Sequence, residues 1–290
     1  MRHAILIIAH ADFGRLTDLV RSFDDRFDIY VHIDKKARTD ESSLSLLRSL
    51  PNVKAAESVY RVAWGARSIM DATLWLCRQA LAGSPDVSFF HLISGSDLLV
   101  KSTDAFCAFF DSHPENNFME YFQLPNRGWG HGGLNRIEFR HPLDRTDIGT
   151  GWGHAVYDRY LNWQIRRGYV RPLPPYRVYG GSTWWSLNRD AVSYVCSHHN
   201  WRGWYDRLED CFAPDEMYIQ TLLLNSEYAP TVINDHMRYI VWEYRNGNSP
   251  AVLDETDIPG ILRSKAVFAR KTDSVTSRKL VSYFAEERKK

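Results

Sequence analysis

The chain is poor in the features that would place it quickly. Its four cysteines, Cys77, Cys107, Cys196 and Cys211, form no CxxC pair and no Cys/His ligand spacing, so neither a zinc site nor a disulfide framework is indicated and reduced thiols are expected. Neither sign of charge dominates. Lys and Arg number 36 against 35 Asp and Glu, a formal net charge of +1, so the overall electrostatics give no case for a nucleic-acid partner and any polyanion site must be local. No apolar run approaches the roughly 20 residues of a membrane span. The N-terminal run 4–9 is stopped by His10 and Asp12 and is too short for a signal peptide. A cytoplasmic protein without a transmembrane segment is the expectation, with peripheral membrane association left open. The glycine-rich dinucleotide fingerprint is also missing, since Ala9-His10-Ala11-Asp12-Phe13-Gly14 holds one Gly, which disfavours NAD.

What is present is a soluble globular profile, 44% hydrophobic and 24% charged, with ten Trp and fifteen Tyr, rings that suit sugar faces as well as cores. Residues 4–9 and 29–33 are continuous apolar runs of the kind buried on both faces of a parallel sheet, and between them Leu16, Leu19, Val20 and Phe23 fall at helical spacing. That is a βαβ unit. A short helix over 41–50, a third strand within 52–59, a helix from Ser68 to Gly83 and a buried strand over 87–93 continue the pattern. The predicted class is α/β, a mostly parallel central sheet flanked by helices. A single domain is expected, with a Rossmann-like nucleotide-binding half over 1–112 and an acceptor and catalytic half over 113–290.

Ligands of open parallel sheets bind beyond the carboxyl ends of the strands. Those ends carry His10 and Asp12, then Asp34-Lys35-Lys36, then Ser94-Gly95-Ser96-Asp97. Many nucleotide-sugar transferases hold a DxD metal motif at the last place; here the first Asp is absent, and one carboxylate is a poor site for Mg²⁺ or Mn²⁺. Asp97 reads equally as a ligand and as a cap near the 103–111 segment. Residues 123–153 lack periodicity and carry Arg127, Trp129, His131, Arg136 and Arg140, donors and stacking faces for an acceptor sugar or phosphate, or a solvated loop. An amphipathic helix follows over 155–167. Gly180-Gly181 feeds an aromatic strand with Trp184 and Trp185, either a sugar-binding floor or core packing, and Asn188-Arg189-Asp190 opens the helix 191–198. Pro214 suits the first position of a helix, with Asp215 and Glu216 in its first turn, where the dipole favours them as caps and where a fixed carboxylate can also serve as a base. A strand over 234–242 holds Arg238, and another over 267–271 ends in Arg270 and Lys271, two fixed cations suited to a diphosphate. The tail 276–290 reads as a charged, solvated helix.

With these residues in hand, the chain resembles glycosyltransferase family 14, the core-2/I-branching β-1,6-N-acetylglucosaminyltransferases and peptide O-xylosyltransferases. The shared stretches are IYVHIDKK (29–36), Ala63-Trp64-Gly65, FHLISGSDLLVK (90–101), GGSTWWSLNR (180–189), the segment 214–226 and FARK (268–271), in the family's order. The resemblance implies a GT-A fold, an inverting transfer from a UDP-sugar to a glycan or polysaccharide hydroxyl, and no required metal or other cofactor. It implies Glu216 as general base, Lys271 on the diphosphate, Asp34 on uridine and Glu120 on the acceptor sugar. His10, Asp97, Arg238 and Arg270 complete the donor side, Arg136, Trp184 and Trp185 the acceptor side. The place of an upstream Arg found in the N-acetylglucosaminyl branch lies near Asn248-Ser249-Pro250, so Arg270 or Arg238 supplies the second cation. GlcNAc is the expected sugar, with xylose as the alternative and a non-catalytic glycan-binding protein as the reading from another class.

Overall fold

A computed structural model describes residues 1–39, 41–146, 148 and 150–288 of the 290-residue chain. Its strands are β1 (Arg2–Ala9), β2 (Phe27–Ile33), β3 (Val53–Glu57), β4 (Val87–Ser94), β5 (Asp97–Leu99), β6 (Asn117–Met119), β7 (Phe122–Gln123), β8 (Tyr179–Gly180), β9 (Trp185–Asn188), β10 (Val232–Ile233), β11 (Arg238–Ile240) and β12 (Phe268–Arg270). The central sheet runs β10-β6-β9-β4-β1-β2-β3, and β9 alone is antiparallel to its neighbours β4 and β6. Strands of the second half thus extend the sheet that the first half begins. This is the expected α/β class, a mostly parallel central sheet flanked by helices.

The apolar run of β1 is explained by its position between β2 and β4. Ala4, Leu6 and Ile8 pack on one face with Met70, Leu74 and Cys77 of the helix Arg67–Gly83, whereas Ile5, Ile7 and Ala9 pack on the other with the helices Phe13–Arg21 and Thr103–Asp111. Side chains alternate across a strand, so helices on both sides demand apolar residues at every position. A smaller sheet, β11-β12-β5, crosses the carboxyl end of β4 and has its own apolar cluster.

Four expectations change. The helix Thr103–Asp111 is capped by Ser102, whose side chain accepts from Ala105 N–H, and Asp97 instead begins β5. The tail helix is Arg278–Glu287, and it buries Leu280 and Phe284 against β5 and β12, so it is part of the core; Lys289 and Lys290 of the expected span lie outside the described residues. Asp147 and Gly149 of the 123–153 stretch also lie outside them. The helix Gly151–Arg166 forms as expected, yet Gly153 and Gln164 are its buried residues, so its large apolar side chains do not face the core. Finally, Pro214–Glu216 is a separate 3-10 turn, broken at Met217 (φ −133°) from the helix Tyr218–Leu224. The Glu216 carbonyl accepts from Gly181 N–H at 2.9 Å, which diverts it from a helical partner.

Candidate active site

The site is organised along residues 181–185, which join two Arg–carboxylate pairs. Three residues of extended chain reach at most about 10 Å, so the backbone at Gly181 and at Trp184 lies close together.

At one end, β5 and β12 pair antiparallel with Asp97 opposite Arg270. Cross-strand neighbours on one face touch, and opposite charges there attract. Arg270 Nε donates to Asp97 Oδ1 at 3.1 Å, Ser94 Oγ donates to the same oxygen at 2.6 Å, and the guanidinium lies 4.2 Å from the Trp184 ring. Asp97 is fully buried, and among the described residues its Oδ2 has no partner. The pair is held from below by Arg15, which donates to the Asp97 carbonyl at 3.0 Å and to Thr272 Oγ1 at 3.2 Å. Lys271 follows at the strand end. Burial, then Arg270, holds its ammonium below the usual lysine range. Arg15, Arg238, Arg270 and Lys271 crowd one carboxylate, an excess of fixed positive charge that suits a diphosphate.

Arg238 belongs to the floor. Its guanidinium donates to the carbonyls of Leu92 (3.1 Å), Trp185 (2.7 Å) and His236 and to Ser186 Oγ (3.0 Å), tying β11 to β4 and β9, and burial pushes it down to about 9. Trp185 is likewise a core side chain at 1% exposure, so the expected sugar floor of two indoles does not exist. A strand sends successive side chains to opposite faces, and only Trp184 points toward Arg270. Asp34, at the end of β2, accepts from the backbone N–H groups of Lys36 (2.9 Å) and Val62 (3.1 Å). His10 is exposed beyond β1.

At the other end, Arg136 Nη1 donates to Glu216 Oε2 at 2.6 Å, while among the described residues nothing hydrogen-bonds Oε1. Arg136 is clamped by stacking, 3.5 Å from the Trp129 ring and 5.4 Å from Phe212. Trp129 in turn occupies the space above Gly180, where an added Cβ would lie 2.7 Å from the indole. At Gly181 an added Cβ would lie 2.0 Å from the Glu120 carbonyl, so the second glycine is what lets Glu120 and Glu216 approach. Burial and then Glu216 raise the Glu120 carboxyl above its ordinary value. Thr183 Oγ1 donates to Asp215 Oδ2 at 2.6 Å, and behind them lies a small cavity lined by Met70, Leu74 and Ile219. Burial, with Glu216 as the next cause, pushes Asp215 up to about 7.

The structure therefore brings Asp97, Arg270, Lys271 and Trp184 together at one end and Glu216, Arg136 and Glu120 at the other. Sequence reasoning missed Arg15, since an arginine on a helix beside Leu16 and Leu19 gives no sign of reaching a strand 82 residues away. Among the described residues no group of three or more His, Cys, Asp or Glu is placed to hold a metal ion.

Residues 4–261 match the family described as Branch: Core-2/I-Branching enzyme. The "Xylosyltransferase oxt" of Drosophila melanogaster is 25% identical over 225 residues, covering 75% of this chain and 23% of that protein. "Xylosyltransferase 1" of Mus musculus is 24% identical over 258 residues, covering 85% and 25%. The chain thus spans about a quarter of the length of these relatives. Among solved structures, S. aureus TarS 1-349 in complex with UDP-GlcNAc is 17% identical, with a TM-score of 0.33 and coverage of 45% of this chain and 36% of that one.

Proposed function

Because the chain belongs to the Core-2/I-Branching enzyme family, we propose that it is an inverting glycosyltransferase moving a sugar from a UDP-sugar to a glycan hydroxyl. The observation that carries this reading is the half-engaged carboxylate of Glu216, with Oε2 fixed by Arg136 at 2.6 Å and Oε1 left for a proton. In the proposed step, Glu216 takes the acceptor proton as the acceptor oxygen bonds the anomeric carbon and the bond from that carbon to UDP breaks. The departing diphosphate carries its charge to Arg270 and Lys271. Preorganised donors aimed at developing charge supply much of catalysis in such sites, and these cations take the place that a metal holds in DxD enzymes. Glu120 lines the acceptor side, Trp184 stands at the diphosphate end against Arg270, and Asp34 and His10 lie on the nucleotide side. Arg136 acts here as a positioning residue for the base, since it stacks on Trp129 and donates Nη1 to Glu216 Oε2.

GlcNAc is the donor sugar expected from the sequence. The xylosyltransferase names of the matched relatives favour UDP-xylose as a second reading. A panel of UDP-sugars, scored by UDP release with an oligosaccharide acceptor and by protection against thermal unfolding, decides between them. Protection without UDP release from any donor would support the binding-only protein instead. Activity that is lost in EDTA and restored by Mn²⁺ would overturn the metal-independent scheme.

A further inference from the structure

The helix Gly151–Arg166 is a long element with little purchase on the protein. It is held at Gln164, whose side chain accepts from Arg140 N–H (2.8 Å) and donates to the Arg140 carbonyl (2.9 Å), and at Tyr157, whose hydroxyl meets His141 Nδ1 (2.7 Å). The opposite face carries Trp152, Arg159, Trp163 and Arg166. These positions, i, i+7, i+11 and i+14, fall within roughly 60° of one another at 3.6 residues per turn, so they form one stripe. Trp152 is 78% exposed and Trp163 50%. Further exposed aliphatic side chains lie nearby in sequence, with Ile165 on another side of the helix and Val170 and Leu173 in the segment after it.

The charge on this face is of one sign. Asp158 is the helix's single acid, and it is paired with His154 at 3.0 Å. Among the described residues Arg159, Arg166 and Arg167 have no ion-pair partner. A sugar polymer would use the tryptophans but gains little from Ile, Val and Leu, whereas a bilayer interface accommodates indoles at headgroup depth, aliphatic groups below it and arginines on anionic lipid. No helix of the described residues is long and apolar enough to cross a membrane.

We propose that this face docks the protein on an anionic phospholipid bilayer. The surface goes beyond the catalytic reading and does not depend on it. If that reading also holds, the helix is anchored to residues 140–141, a few residues beyond Arg136, and the acceptor side of the cleft lies near the bilayer.

The test is flotation of the full chain with vesicles of POPC alone and of POPC with 30 mol% POPG, read without donor or acceptor. Binding to the POPG vesicles is expected, weakening at high salt. Arg159→Glu/Arg166→Glu should lower partitioning by at least about thirty-fold, since the loss of each surface cation alone costs about fivefold on anionic membranes and the charge is reversed. Trp152→Ala/Trp163→Ala should lower it at least about tenfold at any salt concentration. Both pairs are exposed, and an unchanged unfolding midpoint checks that they fold. Should either variant fail that check, bromolipid quenching of the emission of a Trp64→Phe/Trp242→Phe chain, which lacks the other highly exposed indoles, tests the same contact. No partitioning, partitioning equal in wild type and variants, or a dimer in sedimentation velocity that the tryptophan pair breaks would each overturn the proposal. So would oligosaccharide binding lost in the tryptophan pair without any vesicle binding.

Discussion

Two Arg–carboxylate pairs share the cleft, and they are built in opposite senses. In Arg270–Asp97 both side chains are buried, 9% and 0% exposed, and the little exposure there is belongs to the arginine. In Arg136–Glu216 the exposures are 17% and 29%, the arginine is pinned between rings, and the carboxylate is what the cleft meets. The same bond thus presents a cation at one end and an anion at the other. Burial decides which partner is the support. A carboxylate sealed under a sheet cannot take a substrate proton, whereas Glu216 keeps Oε1 without a hydrogen-bond partner among the described residues.

The sharpest way to break the comparison is to neutralise the presented anion. Glu216→Gln keeps the shape and one acceptor oxygen for Arg136, so folding and UDP binding should survive. UDP release with acceptor should fall about 10² to 10⁴-fold, the range for a lost general base. Activity close to wild type would remove Glu216 from the role. Next comes stability. Asp97→Ala strands Arg270 beside Lys271 and Arg238 and should cost about 3 to 5 kcal/mol, as when one partner of a buried pair is removed. Glu216→Ala, at a partly exposed pair, should cost about 1 kcal/mol or less. Denaturant titration of both variants gives the contrast, and equal losses would show that the two ends are not built differently.

Arg136 gives a smaller and more diagnostic effect. Arg136→Ala should lower kcat by up to about 10²-fold, the scale of misplacing a reacting group by an ångström, with donor affinity unchanged. Lys cannot reproduce a planar group between Trp129 and Glu216, so Arg136→Lys should rescue poorly, whereas added guanidinium should restore part of the rate in Arg136→Ala. A purely structural arginine would not respond to guanidinium.

Much of the sheet was legible because β1, β2 and β4 hold long, mostly apolar runs, a pattern expected of strands covered on both faces. The strand ends then pointed to Asp34 and Asp97, and the cations Arg270 and Lys271 stood out at the end of an aromatic strand. What the sequence hid were relations between distant segments. Nothing local distinguishes Trp184 from Trp185, since which indole is core depends on the register of β9 against β4. Pro214-Asp215-Glu216 reads as a helix start until Gly181, far away in sequence, takes the Glu216 carbonyl. The tail helix and the helix Gly151–Arg166 were misjudged in opposite directions for a related reason. An amphipathic pattern says that a face exists, but not whether the protein has a surface to cover it.

The last effect concerns the residue beside the base. Asp215 carries a folded-state pKa pushed up to about 7, from an ordinary value near 3.8, by burial and by Glu216. Between those values the folded state binds more protons than the unfolded state at this group, so its contribution to stability falls as pH rises from about 4 to 7. Glu120, raised for related reasons, acts in the same direction. The imidazoles of His3 and His32, buried, and of His236, half-buried, each pushed down to about 4 by burial, act in the other, because the unfolded chain takes up their protons first as pH falls. Total stability therefore conceals the Asp215 contribution, and the difference between wild type and Asp215→Asn reveals it. The asparagine variant can keep the bond from Thr183 and carries no charge at any pH, so it should gain on wild type steadily from pH 4 to pH 7 in thermal melts. A difference independent of pH would mean that Asp215 sheds its desolvation through the partly open side of the cleft and that Glu216 does not feel a neutral neighbour.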